Sequence, residues 1–275
     1  MSSKKKAVAL SVSLALVGMG MTAVQAGTTD NAEEGPPNPS APAPSTSGGV
    51  AGTVSLTSDY VFRGISQTDQ DPAVQGGIEY AADSGFYIGA WGSNISWLSD
   101  LSSDAAPISS SLEFDAYGGY RGKFSDSVGF DVGALYYYYP GEFPDGFNSA
   151  NTGEVYAGIT VGPASSSPLS VKYFYSLTDL FGYVDSDGSG YLDLAVNWTF
   201  TPGWTLNAHG GKQWIENNEA FEYTDWKLGV TKAFDSGFSI AAAYSDTDTD
   251  EALYTNPHGN YIGDSTFTLT FAKAF

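Results

Sequence analysis

The run Phe267-Thr268-Leu269-Thr270-Phe271-Ala272-Lys273-Ala274-Phe275 sorts its side chains by parity. Phe267, Leu269, Phe271 and Phe275 share one parity with Lys273, and the other carries only Thr and Ala. Alternate side chains of a strand point to opposite faces, so the run predicts a strand with one aromatic or aliphatic face and one small face. Such an apolar face suits lipid, as in an outer-membrane β-barrel. Lys273 is then expected near the rim, where its stem can carry the ammonium group to head groups.

The same alternation recurs upstream. Tyr191, Asp193, Ala195 and Asn197 oppose Leu192, Leu194, Val196 and Trp198. Thr205, Asn207, His209 and Gly211 oppose Trp204, Leu206 and Ala208, and Asp225, Lys227 and Gly229 oppose Trp226, Leu228 and Val230. In all, 12 candidate strands are read at about 50–63, 73–82, 85–97, 110–123, 127–139, 152–162, 168–177, 189–200, 203–214, 222–234, 237–246 and 263–275. Short turns (83–85, 125–126, 162–167, 201–203, 235–237) alternate with longer polar loops (64–72, 98–109, 140–151, 178–188, 215–221, 247–262). That sorting is the bacterial barrel layout of short periplasmic turns and longer external loops, and a soluble sandwich has no reason to adopt it. The expected fold is therefore all-β, a 12-stranded antiparallel up-and-down transmembrane barrel spanning 50–275. Aromatic girdles are expected at both boundaries: Trp198, Phe200, Trp204, Phe234, Phe238 and Phe275 at the periplasmic rim, and Phe62, Trp97, Tyr139, Trp214 and Tyr223 at the outer rim.

The front of the chain sharpens the compartment. Lys4, Lys5 and Lys6 precede an apolar stretch from Ala7 to Met21, and Val24-Gln25-Ala26 is a small-residue cleavage site. Residues 1–26 thus read as a signal peptide. Residues 27–49, rich in Pro, Ser, Gly and Thr, read as a flexible periplasmic tail. Removing the leader takes three lysines and no acid, so 11 Lys+Arg become 8 against 31 Asp+Glu, and the formal charge moves from −20 to −23. So acidic a chain lacks the basic footprint that nucleic-acid binding requires. With no cysteine, stability rests on burial and the hydrogen-bond ladder, which a closed barrel completes.

Ser58-Asp59-Tyr60-Val61-Phe62-Arg63-Gly64-Ile65-Ser66-Gln67 resembles the TorF-type porin family of bacterial outer-membrane proteins. Pro72-Ala73-Val74-Gln75-Gly76-Gly77-Ile78 and Gly85-Phe86-Tyr87-Ile88-Gly89-Ala90-Trp91 fit the same pattern, and the similarity runs from about Val54 to Phe275. The resemblance implies a pore-forming barrel and supplies no catalytic residue. Resemblance to other outer-membrane barrels implies export by the Sec route and insertion by the barrel assembly machinery, which reads the terminal strand.

Alternation assigns a lumen-facing set: Asp59, Arg63, Glu79, Glu113, Asp115, Asp131, Glu154, Lys172, Asp193, His209, Asp225 and Lys227. These charges either pair across the lumen and brace it or line a water path and select ions; an excess of acids would favour cations. Arg63 sits at the predicted junction of the first strand and its loop, and a salt bridge to a lumen carboxylate is its expected role ahead of solute contact.

Asp185, Asp187, Ser189 and Asp193 match four oxygen positions of a calcium loop, with Gly190 at the sixth, but Val196 stands where a bidentate Glu is required. A polar hairpin loop explains the run better. The acids of Asp246-Thr247-Asp248-Thr249-Asp250-Glu251 fall on a predicted external loop, where divalent cations could bridge them to lipopolysaccharide or merely screen them; a solvated loop kept soluble by its charge explains them better. Enzyme chemistry is not expected: no serine motif accompanies His209 or His258, and the acid pairs Glu113/Asp115 and Glu216/Glu219 are the kind an acid-rich chain produces by chance. No cofactor is implied. The expected function is passive diffusion of small hydrophilic solutes or ions across the outer membrane. The alternative is a closed structural or adhesive barrel acting through its external loops.

Overall fold

The computed structural model describes residues 49–162 and 169–275. The predicted leader and all of the predicted tail except Gly49 lie outside them, as does most of the turn at 162–167. Gly49 opens the first strand instead of closing the tail.

Among the described residues, twelve antiparallel strands close into a barrel. They are β1 (Gly49–Thr57), β4 (Ala73–Ala81), β5 (Phe86–Asn94), β6 (Leu112–Ser125), β7 (Val128–Tyr138), β8 (Thr152–Val161), β9 (Leu169–Ser176), β10 (Gly190–Thr201), β11 (Trp204–Trp214), β12 (Tyr223–Ala233), β13 (Phe238–Thr247) and β14 (Thr266–Ala274). The missing numbers belong to a separate small hairpin, β2 (Val61–Phe62) and β3 (Ile65–Ser66). Each barrel strand pairs with its neighbours in sequence, and β1 pairs with β14 to close the ring. The seam extends to Phe275, which exchanges backbone hydrogen bonds of 2.9 and 3.0 Å with Gly52. Closure leaves no strand edge, the condition for placing backbone in hydrocarbon.

The two faces of β14 follow the parity of the sequence. Phe267 and Leu269 are 64% and 37% exposed, whereas Thr268 and Thr270 between them are 2% and 1% exposed. The other strands repeat this inversion of a soluble core: Ile78, Ile88, Leu194, Leu228 and their like point outward, while polar side chains are buried inside. Outward lysines sit at the rims against aromatic rings. Lys273 Nζ lies 5.0 Å from the Phe238 ring and donates to the Ser236 carbonyl at 2.5 Å, and Lys232 Nζ lies 5.4 Å from the Trp204 ring. Each apolar stem lies along the band while its charge reaches the boundary.

The short-turn rim carries Trp198, Phe200, Trp204, Phe234, Phe238 and Phe275 exposed, as expected. The outer rim departs from expectation. Only Trp214 of its predicted girdle faces out; Phe62, Trp97, Tyr139 and Tyr223 are buried. Tyr139 and Tyr223 fall on the inward parity of their strands, and Trp97 lies beyond β5 in a loop folded over the mouth. The outward rings at this end include Phe114, Tyr136, Tyr138, Tyr173, Tyr175, Trp226, Tyr244 and Phe267.

The largest departure lies at the first long connection. β1 ends at Thr57, not near 63, and every residue from 59 to 68 is buried. The segment turns inward and enters the barrel.

Candidate pore and its inward hairpin

The hairpin is built by its own sequence. Arg63 and Gly64 have φ values of +45° and +82°, the two positive positions of a type I′ turn, so Phe62 and Ile65 pair across it. At the base, Asp59 Oδ1 accepts from the Ser66 and Thr68 hydroxyls at 2.6 and 3.1 Å, and Gln67 N–H donates to the Tyr60 carbonyl at 2.7 Å. The turn is closed tightly against the wall. A Cβ at Gly64 would lie 2.5 Å from Thr247 Cγ2 and 2.7 Å from Asp225 Cβ.

Arg63 fixes the tip. Its guanidinium donates to both carboxylate oxygens of Glu154 on β8, with Nη2–Oε2 at 3.0 Å, and to Gln213 Oε1 on β11 at 2.7 Å. It lies 4.1 Å from the Tyr191 ring centroid on β10. Tyr137 OH on β7 donates to the same Glu154 at 3.0 Å. Both charged side chains are 1% exposed. The bidentate fork, the extra donor and the ring face compensate the desolvation that burying two charges incurs. The salt-bridge role expected for Arg63 holds, but from the hairpin and not from a strand end.

Apolar contacts complete the seal. Tyr60 meets Trp91 of β5 edge-on at 5.5 Å, and Phe62 meets Tyr137 and Phe181 at 6.0 and 6.4 Å. Ile65 packs with Tyr223, Tyr254 and Ile262. The hairpin therefore touches wall from β5 round to β13, and the outer part of the lumen is a packed aromatic core covered by the long loops.

Below the hairpin the two walls differ. On one, Arg121 (β6) binds Glu79 (β4) through two bonds of 2.7 Å, with its guanidinium 3.6 Å from the Tyr87 ring centroid. Tyr87 OH contacts Asp131 Oδ1 at 2.6 Å and Tyr156 OH at 2.5 Å, and Lys172 reaches Asp131 at 2.8 Å. Further round, His209 lies between Asp225 (Nε2–Oδ2, 2.7 Å) and Asp193 (Nδ1–Oδ1, 3.4 Å), with Tyr191 OH donating to Asp225 at 2.8 Å. The opposite wall is small. Ala51, Thr53 and Ser55 of β1, Thr268, Thr270 and Ala272 of β14, and Ala241 and Ala243 of β13 share the inward face, opposite Gly77 of β4 and Gly229 of β12. Thr53 is exposed although it faces inward, so water-accessible space reaches this wall at Thr53, while Thr268 and Thr270 beside it are buried.

All twelve predicted lumen residues face the interior. Asp59 and Arg63 do so on the hairpin, and Glu79, Glu113, Asp115, Asp131, Glu154, Lys172, Asp193, His209, Asp225 and Lys227 on the wall. Among the described residues, eight acids thus face five lysine or arginine side chains: Arg63, Arg121, Lys123 at the rim, Lys172 and Lys227. Neither Asp115 oxygen accepts a hydrogen bond from a described residue. Arg121 was not in the predicted set, although it shares parity with Glu113 and Asp115. The aromatic partners Tyr87, Tyr156 and Tyr191 were also absent from it.

The calcium candidates are not brought together. Asp193 faces the lumen beside His209, Ser189 is buried under the loop, and Asp185 and Asp187 sit on an exposed turn. A β-strand already begins at Gly190, so the ligand spacing cannot curl around an ion. His209 is held by carboxylates and a phenol, and His258 lies 3.4 Å from Asp100 on an exposed loop.

A closed twelve-stranded barrel with a lipid-type exterior, a polar interior and long loops at one end defines a transmembrane β-barrel of the outer-membrane type. The fold is shared with the NanC porin (TM-score 0.53, 11% identity, 82% of this chain and 99% of that one). It is shared equally with the KdgM porin (TM-score 0.51, 7% identity, 82% and 98%). The chain belongs to the Gcw_chp family, described as a bacterial protein of unknown function, whose sequence profile matches residues 41–275. No curated protein matches the chain.

Proposed function

We propose that this protein is an outer-membrane passage of the TorF porin type, which admits small hydrophilic solutes or ions by passive diffusion and is closed near its outer end by the hairpin of residues 58–68. The observation that carries this reading is the contrast across the lumen: small side chains of β13, β14 and β1, open to water at Thr53, lie beneath one compact inserted segment and face a wall of ion pairs and tyrosines. A barrel with a purely structural role has no need of such a contrast. Lumen acids in excess of cations support a mild cation preference. One solved form of the KdgM porin is a complex with disordered oligogalacturonate, an acidic saccharide; the acidic lumen here supports a different solute charge.

Lipopolysaccharide at Asp246 and the acidic loop that follows β13, and the barrel assembly machinery at the terminal strand, are the proposed partners. The second reading is a closed barrel working through its outer loops, favoured by the packed aromatic core under them. Single-channel recording under a salt gradient separates the two. Passage predicts discrete steps with a reversal potential shifted toward the cation's. Silence from heat-modifiable, correctly folded barrels, including a variant lacking residues 59–67, would leave only the closed reading.

A further inference from the structure

A cavity of about 290 Å³ lies outside the lumen, above the hairpin. Ser66 and Asp69 at the end of the hairpin, Trp97 and Asp100 after β5, and Tyr254 and Asn256 of the last long loop line it. Its size is at the lower end of ligand cavities, which run from ~300 Å³ upward, so an occupant is small.

Its chemistry is specific. The lining holds two carboxylates and no lysine or arginine. Asp69 is held in place: Asn260 Nδ2 donates to both its oxygens at 3.0 and 2.9 Å, and Asn256 Nδ2 donates at 2.7 Å. Asp69 and Gln70 also keep positive φ values of +55° and +66°, a costly conformation for side-chain-bearing residues. Burial pushes the Asp100 carboxyl up, and the neighbouring charge of Asp69 adds to it against the pull of Ser96 and His258. A cation between the two would relieve both effects. Trp97 is 4% exposed, and its indole N–H has no hydrogen-bond partner among the described residues. That group is a donor only, so it calls for a ligand acceptor such as a hydroxyl. Partly buried Leu253 supplies an apolar contact of the kind that takes the C–H face of a sugar ring.

We infer that this outer cavity binds a small hydroxylated organic cation of amino-sugar chemistry, its ammonium group between Asp69 and Asp100 and a hydroxyl on Trp97 Nε1. It serves as the recognition site above the plug, a role that rests on the passage proposed above; the binding itself does not. Because Ser66 belongs to the hairpin, an occupant touches the plug directly.

Calorimetric titration of the full barrel in detergent with glucosamine, glucose and glucuronate tests it. Glucosamine binds saturably, glucose more weakly and glucuronate not at all. Asp100→Asn weakens glucosamine roughly tenfold, the loss of one charge-assisted contact. Trp97→Phe, which keeps a ring and loses the donor, weakens glucosamine and glucose alike, and Arg121→Ala, inside the barrel, changes neither. Absence of glucosamine binding, equal binding of glucuronate, or an unaffected Asp100→Asn would overturn the assignment. Conductance recorded without sugar reports on the passage alone, so a conducting barrel that ignores glucosamine removes this inference and leaves the passage standing.

Discussion

The outer and periplasmic parts of this lumen solve the same packing problem in opposite ways. The outer part is filled by a hairpin whose ten consecutive buried residues meet rings from β5 to β12 and from the loops. The periplasmic part is filled on one side only, by ion pairs and tyrosines, and left small on the other. A barrel needing only stability could have used large residues on both walls, since twelve strands enclose little more than side chains. On the proposed passage, the difference places the barrier in a segment attached at its two ends and held at its tip by one ion pair, not in the wall.

The comparison can be broken most severely at that tip. Glu154→Ala leaves Arg63 buried and unpaired, which costs about 3–5 kcal/mol. The hairpin is expected to leave its seat before the barrel unfolds, so residues 59–68 lose amide-exchange protection while β6 to β13 keep theirs. A smaller effect in the same direction is expected from Gly64→Ala. The left-handed backbone alone costs ~1–2 kcal/mol for a residue with a Cβ, and contact with Thr247 and Asp225 adds to it. The periplasmic part should respond differently. Enlarging the small wall with Ala243→Phe should cut the current of a hairpin-released barrel strongly, whereas Tyr156→Phe on the crowded wall should scarcely change it. Smallest is the response to Asp115→Asn: conductance stays the same, and the reversal potential moves away from the cation's by a few millivolts. Equal responses to Ala243→Phe and Tyr156→Phe would erase the distinction between the walls.

Much of this was legible in the sequence, because alternation is a direct print of a two-faced wall. It placed the twelve strands, sorted the loops by end and put the lumen-facing charges inside. Arg121 was equally legible by parity with Glu113 and Asp115. The hairpin was not. Tyr60-Val61-Phe62 continues the apolar character of β1, and a segment surrounded by lumen is buried on both faces, so no period marks where the wall stops. Gly64 after Arg63 carried the turn signal, as an X-Gly pair of the I′ type. The segment on which the sequence resemblance chiefly rested, Ser58 to Gln67, is this inward hairpin and not a wall strand. The outer girdle failed for a related reason: position along the chain gives height in the membrane, while parity decides which side a ring faces, and Tyr139 and Tyr223 fall on the inward parity. Contacts among Arg63, Glu154 and Gln213, separated by 91 and 150 residues, had no local signal at all.

The seat of the hairpin is tested most directly by single-channel conductance of the native barrel and of Glu154→Ala in the same bilayer and salt. Release of the hairpin predicts steps several-fold larger in the variant, with heat-modifiable gel mobility unchanged. Identical steps in the two proteins would contradict it, because the segment anchored by Arg63 would then not be what limits the passage.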